Sequence, residues 1–169
     1  MGTGAMSVLI PTALTQKEFE PFGDVIEGNG AFLLINGGST KRFHDLARVE
    51  TLGEDARAMI SLFRVNAQTL PISIRMMERH PLGSQAFIPL RSHRFLVVVA
   101  RPGGPPGPED LRAFWSNGNQ GVNYRAGVWH HPVLALVNDD EFLVIDRGGP
   151  GDNCDECFFA PAEERTLQW

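Results

Sequence analysis

Residues 77–90 combine a polar motif with the ends of two apolar segments, and their sequence is M-E-R-H-P-L-G-S-Q-A-F-I-P-L. We predict strands over 72–77 and 86–90, separated by a turn at 81–83. Glu78 and His80 are two residues apart, so an extended chain places both side chains on one face, and Gln85 follows the turn. The segment therefore predicts three polar side chains gathered at one end of a β-sheet.

Two adjacent histidines occur in a later segment, G-V-W-H-H-P at 127–132. Only one of them can share the interior face of an extended strand, and we predict that it is His130. Two imidazoles and one carboxylate suit a first-row transition metal with open coordination positions, with Gln85 as a weak ligand or a partner behind the ligands. The residues alone also allow a structural alternative, in which His80 and His130 are interior histidines that hold strand ends together.

Short runs of branched and aromatic residues recur along the chain between turn signals. Their spacing predicts a mainly β protein, an antiparallel barrel or jelly roll, with a Gly/Pro-rich surface loop over 101–108. Helical pattern is limited to a short helix capped by Thr15 and ending at Phe19, and to a turn near 108–111. The predicted strands cover 32–35, 60–65, 72–77, 86–90, 95–100, 112–115 and 142–145.

The chain length of 169 residues fits one domain. Residues 1–5 precede a second methionine and are interpreted as a cloning remnant, which leaves a single predicted domain over 6–169. The only cysteines, Cys154 and Cys157, rule out a four-cysteine zinc site and are interpreted as ordinary thiols on a loop.

Charge and hydropathy exclude two classes of partner. The net charge is -5 and no run of Lys and Arg could neutralise adjacent phosphates, so we expect no nucleic-acid partner. The longest apolar run, 95–100, is far shorter than the roughly 20 residues that cross a bilayer, and the N-terminus lacks signal-peptide regions. We therefore expect a cytoplasmic protein with no membrane partner.

The two polar segments resemble the metal motifs of cupins, H-x-H-x(3,4)-E in one strand pair and G-x-x-H in a later strand. Glu78 stands at the position of the first histidine, His80 at that of the second and Gln85 at that of the glutamate. Residues 127–130 reproduce the later element, with His130 as its histidine. The resemblance implies a cupin-like barrel that holds a divalent metal through Glu78, His80, Gln85 and His130.

A narrower resemblance covers most of the chain. Residues 77–90 and G-V-N-Y-R-A-G-V-W-H-H-P at 121–132 are similar to signature segments of the ureidoglycolate lyase family, with shorter matches at 22–27, 43–47, 111–114 and 146–155. This resemblance implies a homodimer that cleaves (S)-ureidoglycolate to glyoxylate and urea in allantoin catabolism. It also implies nickel as the cofactor, with manganese or zinc as alternatives.

The implied reaction assigns further roles. Cleavage requires removal of a proton from the substrate hydroxyl and delivery of one to the departing nitrogen, and His131 or Tyr124 is the candidate donor to urea. Without a metal, Glu78 or His80 would act as the base directly. The substrate carboxylate needs a fixed cation, and the candidates are Arg64, Arg75 and Arg125. A guanidinium group can bind a carboxylate through two parallel hydrogen bonds. Asn123 is a candidate partner for the urea carbonyl, or alternatively a turn residue.

Two other classes of protein fit the same motifs. A cupin-like barrel with a metal triad could instead be a dioxygenase or an isomerase, because fold and ligands alone do not specify chemistry. It could also be a small-ligand-binding protein without enzymatic activity.

Overall fold

The computed structural model describes residues 7–169. The interpretation of residues 1–5 as a remnant and of Met6 as the natural start falls outside the described residues. Within them the chain forms seventeen strands, a short helix α1 (Gln16–Phe19) and two 3-10 turns, Asn36–Gly38 and Pro108–Asp110. The strands are β1 (Val8–Leu9), β2 (Thr12–Ala13), β3 (Gly23–Ile26), β4 (Leu33–Ile35), β5 (Thr40–Arg42), β6 (Arg57–Val65), β7 (Ile72–Ile74), β8 (Met76–Arg79), β9 (Gln85–Pro89), β10 (Phe95–Ala100), β11 (Arg112–Trp115), β12 (Gly121–Tyr124), β13 (Trp129–His130), β14 (Leu134–Ala135), β15 (Asp140–Gly148), β16 (Asp155–Phe158) and β17 (Arg165–Leu167).

Two large sheets form the body of the fold, and the predicted cupin-like β architecture is confirmed. One sheet has the order β16-β8-β13-β10-β11-β2, with β14 also paired to β10, and the other has the order β3-β12-β9-β15-β6. Most pairs are antiparallel, but β2 runs parallel to β11 and β1 parallel to β17. A three-stranded sheet, β1-β17-β7, and a hairpin of β4 and β5 complete the described chain.

The interior between the two large sheets holds the first hydrophobic cluster. Val97 and Val99 enter it from β10, and Phe87 and Phe142 enter it from the facing sheet. The alternate residues of β10, including Leu96 and Val98, enter a second cluster that the three-stranded sheet covers. Because both faces of β10 are covered, the strand is an uninterrupted apolar run rather than an alternating one.

The short helix follows the sequence prediction. The Thr15 side chain accepts a hydrogen bond from the Glu18 backbone N–H at 3.2 Å, which satisfies a free donor at the helix start. Phe19 at its end is fully buried in the interior cluster. No helix within residues 7–169 is long and apolar enough to span a membrane.

Two predicted strands differ from the structure in continuity or pairing, and two others, predicted over 60–65 and 142–145, extend further as β6 and β15. The single strand expected over 72–77 is divided at Arg75, because β7 pairs with β17 in the three-stranded sheet whereas β8 pairs with β13 and β16 in a large sheet. The strand predicted at 32–35 exists as β4, but it pairs only with β5 in a hairpin outside the large sheets. The loop over 101–108 lies between β10 and β11 as predicted.

The turn at 81–83 determines where the polar residues meet. It connects β8 of one large sheet to β9 of the other, so the chain passes from one sheet to the other at this end of the fold. β13 lies beside β8 and brings His130 opposite Glu78.

Candidate metal centre

Glu78 and His130 form the base of the candidate site. They are direct cross-strand partners on β8 and β13, and Glu78 Oε1 lies 3.5 Å from His130 Nε2. His130 is 1% exposed, so the histidine predicted to face the interior is buried. Cross-strand pairing therefore joins the two sequence motifs.

His80 is the third member of the site. It follows the end of β8, and its Nε2 lies 4.0 Å from Glu78 Oε1. Its ring centroid is 5.1 Å from that of His130. One ligand atom from each of Glu78, His80 and His130 lies within 4.8 Å of the others, which is close enough for all three to bind one ion.

The outer hydrogen bonds of the two histidines determine which ring nitrogens carry protons. His80 Nδ1 lies 2.7 Å from the carbonyl oxygen of Asn153, and His130 Nδ1 lies 3.1 Å from that of Val128. A carbonyl oxygen only accepts, so each Nδ1 carries the hydrogen and each neutral ring presents the Nε2 lone pair to the site. Both Nε2 atoms are buried without a hydrogen-bond partner among residues 7–169. Two lone pairs and a carboxylate thus converge with no donor among them, an arrangement that a cation satisfies.

Electrostatics favours the neutral form of His130 and the ionised form of Glu78. Burial lowers the pKa of His130, and the nearby Glu78 carboxylate only partly offsets this effect. The adjacent His130 lowers the pKa of Glu78, more than burial of the carboxyl raises it. At neutral pH the imidazole is therefore neutral and the carboxyl ionised, the forms that bind a metal ion.

Gln85 and Tyr124 lie beside this cluster on the facing sheet. They are opposite each other on β9 and β12, and both are buried. The Tyr124 ring stacks on His130 with centroids 4.4 Å apart and an interplanar angle of 8°. Burial raises the pKa of the Tyr124 hydroxyl, so it stays protonated.

Asp146 is a neighbour of Gln85 that the sequence prediction did not single out. Gln85 Nε2 donates to Asp146 Oδ2 at 3.3 Å. Asp146 lies on β15 two residues after Val144 and four after Phe142, both of which are buried in the interior, and strand alternation gives it the same face. The apolar alternation of Phe142 and Val144 was a usable signal, but the predicted strand stopped at residue 145.

The arginines considered for the substrate carboxylate are not brought to this cluster. Arg64 is 69% exposed and lies 3.4 Å from Glu141, and Arg75 is 73% exposed and pairs with Glu164. Arg125 is 44% exposed, with its guanidinium 3.9 Å from the Glu20 carboxylate.

Asn123 and His131 are not among the three converging side chains. Asn123 alternates with Tyr124 on β12 and donates to Asp24 Oδ2 and to the Arg48 carbonyl. His131 follows the end of β13, and its Nδ1 lies 2.8 Å from the Pro132 carbonyl oxygen. Burial lowers the pKa of His131.

The two cysteines are unbonded thiols, as predicted, but only Cys154 lies on a loop, because Cys157 is part of strand β16. Cys154 is exposed, and its sulfur lies within 4.8 Å of a carboxylate oxygen of Glu78 and of one of Glu156. Burial raises the pKa of the Cys154 thiol, and the neighbouring carboxylates add to the effect. Cys157 packs against the second hydrophobic cluster.

The fold and the cluster together define a cupin-like β protein with two histidines and a carboxylate arranged as a candidate metal centre. The family model for ureidoglycolate lyase matches residues 6–165. The chain belongs to the ureidoglycolate lyase family.

Proteins named ureidoglycolate lyase match nearly the full chain. The protein from Azotobacter vinelandii is 57% identical over 163 residues, covering 96% of this chain and 98% of its own. That from Stutzerimonas stutzeri is 56% identical, and that from Pseudomonas putida is 55% identical, each covering 96% of both chains.

Proposed function

We propose that this chain is a metal-dependent lyase that cleaves (S)-ureidoglycolate to glyoxylate and urea in allantoin degradation. The observation that carries the proposal is the convergence of Glu78 Oε1, His80 Nε2 and His130 Nε2. Both Nε2 atoms are buried and have no hydrogen-bond partner within the described part of the chain. Membership of the ureidoglycolate lyase family supports the substrate. The proposal assigns this activity to a single domain over 6–169.

The residues present fit a divalent cation. Glu78, His80 and His130 would hold it, because neutral imidazoles and a carboxylate are standard ligands of first-row metals, and the Gln85 amide oxygen is a weaker fourth donor. Both histidines have an outer hydrogen bond to a backbone carbonyl, the arrangement that orients metal-binding histidines. We propose nickel, with manganese and zinc as alternatives that the same donor set accepts. When bound, the ion supplies Lewis-acid polarisation of the substrate hydroxyl and positive charge for its carboxylate.

The reaction needs two proton movements and no added water. The proton leaves the carbinol hydroxyl, the C–O bond becomes the aldehyde carbonyl of glyoxylate, and the C–N electron pair leaves with the ureido nitrogen. That nitrogen then takes up a proton to give urea. A group that takes a proton and returns one nearby serves both movements.

His131 is our candidate for this proton movement. Its lowered pKa leaves the ring neutral near pH 7 with an unprotonated nitrogen available as an acceptor, and the protonated ring can then donate to the departing nitrogen. Tyr124 is less suited to transferring a proton because burial raises its pKa. We assign its hydroxyl to substrate binding, together with Gln85.

The solvent exposure of the candidate arginine side chains argues against a role for them in binding the substrate carboxylate. Arg64 and Arg125 are largely exposed and face Glu141 and Glu20 respectively. Asn123 uses its amide N–H groups on Asp24 and Arg48. We therefore propose that the metal centre, rather than Arg64 or Arg125 of the same chain, is the main binding point for the anionic end of the substrate, and that Asn123 is not the partner of the urea carbonyl.

We propose a homodimer formed through the outer face of the five-stranded sheet. Ile60 and Leu62 on its edge strand β6 are 72% and 66% exposed. Their cross-strand partners on β15 are Ile145 and Leu143, so the apolar side chains form a continuous stripe. An exposed apolar stripe at the edge of a sheet favours association with another chain. A second copy related by two-fold symmetry would cover this stripe on β6 and β15.

The proposed location is the cytoplasm. Cys154 and Cys157 are free despite their short spacing, which fits a reducing compartment.

The activity is tested by product analysis. Purified protein is incubated with each enantiomer of ureidoglycolate, and urea, glyoxylate and ammonia are measured separately. We expect equimolar urea and glyoxylate from the (S) enantiomer alone, without oxygen uptake. Ammonia in place of urea would indicate a hydrolase, and oxygen consumption would indicate a dioxygenase; either result contradicts the proposal.

A further inference from the structure

Beside the three metal-ligand candidates lies a second set of buried polar atoms without partners: Gln85 Oε1, Asp146 Oδ1 and the Tyr124 hydroxyl. Each is shielded from solvent and receives or donates no hydrogen bond within the described residues. Leaving such groups unpaired is costly, so three of them side by side form a place where a polar ligand can bind.

The strand register places the three side chains in a row. Tyr124 is the direct partner of Gln85 across β12 and β9. Ile145 is the partner of Ala86 across β15 and β9, so Asp146 falls opposite Gln85 on its other side. The Gln85–Asp146 hydrogen bond confirms that these two side chains share a face. The stacking of Tyr124 on His130 then places this row next to the candidate metal centre.

The internal hydrogen bond determines what the row offers. Because Gln85 Nε2 donates to Asp146 Oδ2, the amide oxygen of Gln85 and the second oxygen of Asp146 are left as acceptors. The Tyr124 hydroxyl, buried without a partner among residues 7–169, is available as a donor. The row therefore presents two acceptors and one donor to a ligand bound in the interior.

A ureido group has the matching pattern, with N–H donors on both nitrogens and one carbonyl acceptor. We propose that Asp146, Gln85 and Tyr124 form a ureido-recognition subsite, in which Asp146 and Gln85 accept from the N–H groups and Tyr124 donates to the carbonyl. This inference rests on the proposed function, because it assigns the nitrogen end of that substrate to a specific wall of the interior. Asp146 then serves as a specificity-determining residue, both directly and by fixing the orientation of the Gln85 amide.

Two stable ligands isolate the subsite from the metal centre. N-carbamoylglycine has the ureido group and carboxylate of the substrate but lacks its hydroxyl, so it cannot undergo the cleavage. N-acetylglycine has the same carboxylate and replaces the terminal NH2 by a methyl group of similar size. Binding of each to nickel-loaded protein is measured by titration calorimetry, and the ratio of the two dissociation constants reports on recognition of the NH2 group.

Asp146→Asn is the diagnostic variant. An asparagine oxygen can still accept from Gln85, while its NH2 group would replace the free Asp146 oxygen and turn an acceptor into a donor. The matched control is Asp24→Asn, since Asp24 also accepts from a side-chain amide, that of Asn123, at 3.3 Å on the same sheet. We expect the wild type and Asp24→Asn to prefer N-carbamoylglycine by roughly tenfold or more, as for loss of one charge-assisted hydrogen bond, and Asp146→Asn to lose this preference.

Two results would overturn the subsite: no preference in the wild type, or a preference that Asp146→Asn retains. Turnover of ureidoglycolate by the wild type is measured in parallel and judges the proposed function independently. Normal turnover with unchanged ligand preference in Asp146→Asn rejects the subsite alone, whereas absent turnover with the expected change in preference rejects the lyase and leaves a ureido-binding site.

Discussion

The imidazole of His130 lies almost parallel to the phenol ring of Tyr124, with ring centroids 4.4 Å apart. One face of the histidine is thereby fixed by the stack, and its Nδ1 lies 3.1 Å from the Val128 carbonyl oxygen. Its remaining nitrogen, Nε2, is held facing Glu78. The stack therefore links the orientation of a metal-ligand candidate to a residue of the proposed substrate site.

The stack and the hydroxyl of Tyr124 can be separated by mutation. Tyr124→Phe keeps an aromatic ring against His130 but removes the proposed donor to substrate, so we expect nearly unchanged nickel affinity and a loss of roughly 10-fold or more in kcat/KM. Tyr124→Leu removes the aromatic stack as well, and we expect weaker nickel binding in addition. Nickel titration and steady-state kinetics on both variants check this, and equal nickel affinity in Tyr124→Leu would contradict the role of the stack.

Glu78 provides the sharpest test of the ligand set. Glu78→Gln keeps the side-chain shape but removes the charge. We expect nickel affinity and kcat/KM each to fall by about 100-fold or more, because losing a ligand should cost at least as much as losing a residue that hydrogen-bonds to a ligand. The control is Glu54→Gln, because Glu54 is an exposed glutamate that belongs to neither group of candidate ligands. Similar losses in both variants would show that the general negative charge matters rather than the Glu78 ligand.

The stability of the metal-free protein should depend on pH. Burial lowers the folded-state pKa values of His130 and His131 below 6.5, so below that pH the unfolded chain binds more protons than the folded one. Their stabilising contribution is therefore present above pH 6.5 and is lost as pH falls, by at most about 1.4 kcal/mol per pH unit for each proton. The lowered pKa of Glu78 adds a loss only below pH 4.5.

Guanidinium unfolding of chelated protein at pH 7.5, 6.5 and 5.5 measures this dependence. Guanidinium is preferred to urea because urea is a proposed product. We expect the free energy of unfolding to fall toward pH 5.5, and to fall less in His130→Gln and His131→Gln. A wild-type value that is constant or rises on acidification would contradict neutral buried imidazoles.

The proposed dimer depends on the outer face of the five-stranded sheet. Ile60→Arg introduces a charge into the apolar stripe and should convert a dimer of the 18.6 kDa chain into a monomer. Ile10→Arg is the matched control, since Ile10 is exposed to a similar extent, 67%, and lies outside this sheet. Light scattering after size-exclusion chromatography gives the mass, and a dimeric Ile60→Arg protein would place the interface elsewhere.

The sequence was sufficient to predict the candidate cluster because Glu78 and His80 are close in the chain and the resemblance to the cupin motifs adds His130 from a later strand. Glu78 and His80 share a face by the two-residue period of a strand, and the turn at 81–83 carries the chain to the second sheet. The short strand β13 then needed only the correct choice between adjacent histidines, and His130 is the buried one.

Other positions required the three-dimensional arrangement. Asp146 was missed because the strand predicted over 142–145 in fact extends over Asp140–Gly148. Whether Arg64 faces the interior depends on which face of β6 is buried. Ile60 and Leu62 lie on the same face as Arg64, and these apolar residues suggest from sequence that this face is buried, whereas the structure exposes it. The division at Arg75 arises because β7 and β8 find partners in different sheets, which local pattern does not encode.

The most direct test of the central claim is a metal titration of activity. Chelated wild-type protein is titrated with nickel, and urea release from (S)-ureidoglycolate is followed alongside bound metal per chain. We predict that activity rises from near zero in proportion to occupancy and saturates at one ion per chain, with no such recovery in Glu78→Gln. Full urea release by metal-free protein, or no urea release at any nickel, manganese or zinc occupancy, would contradict a metal-dependent lyase built on Glu78, His80 and His130.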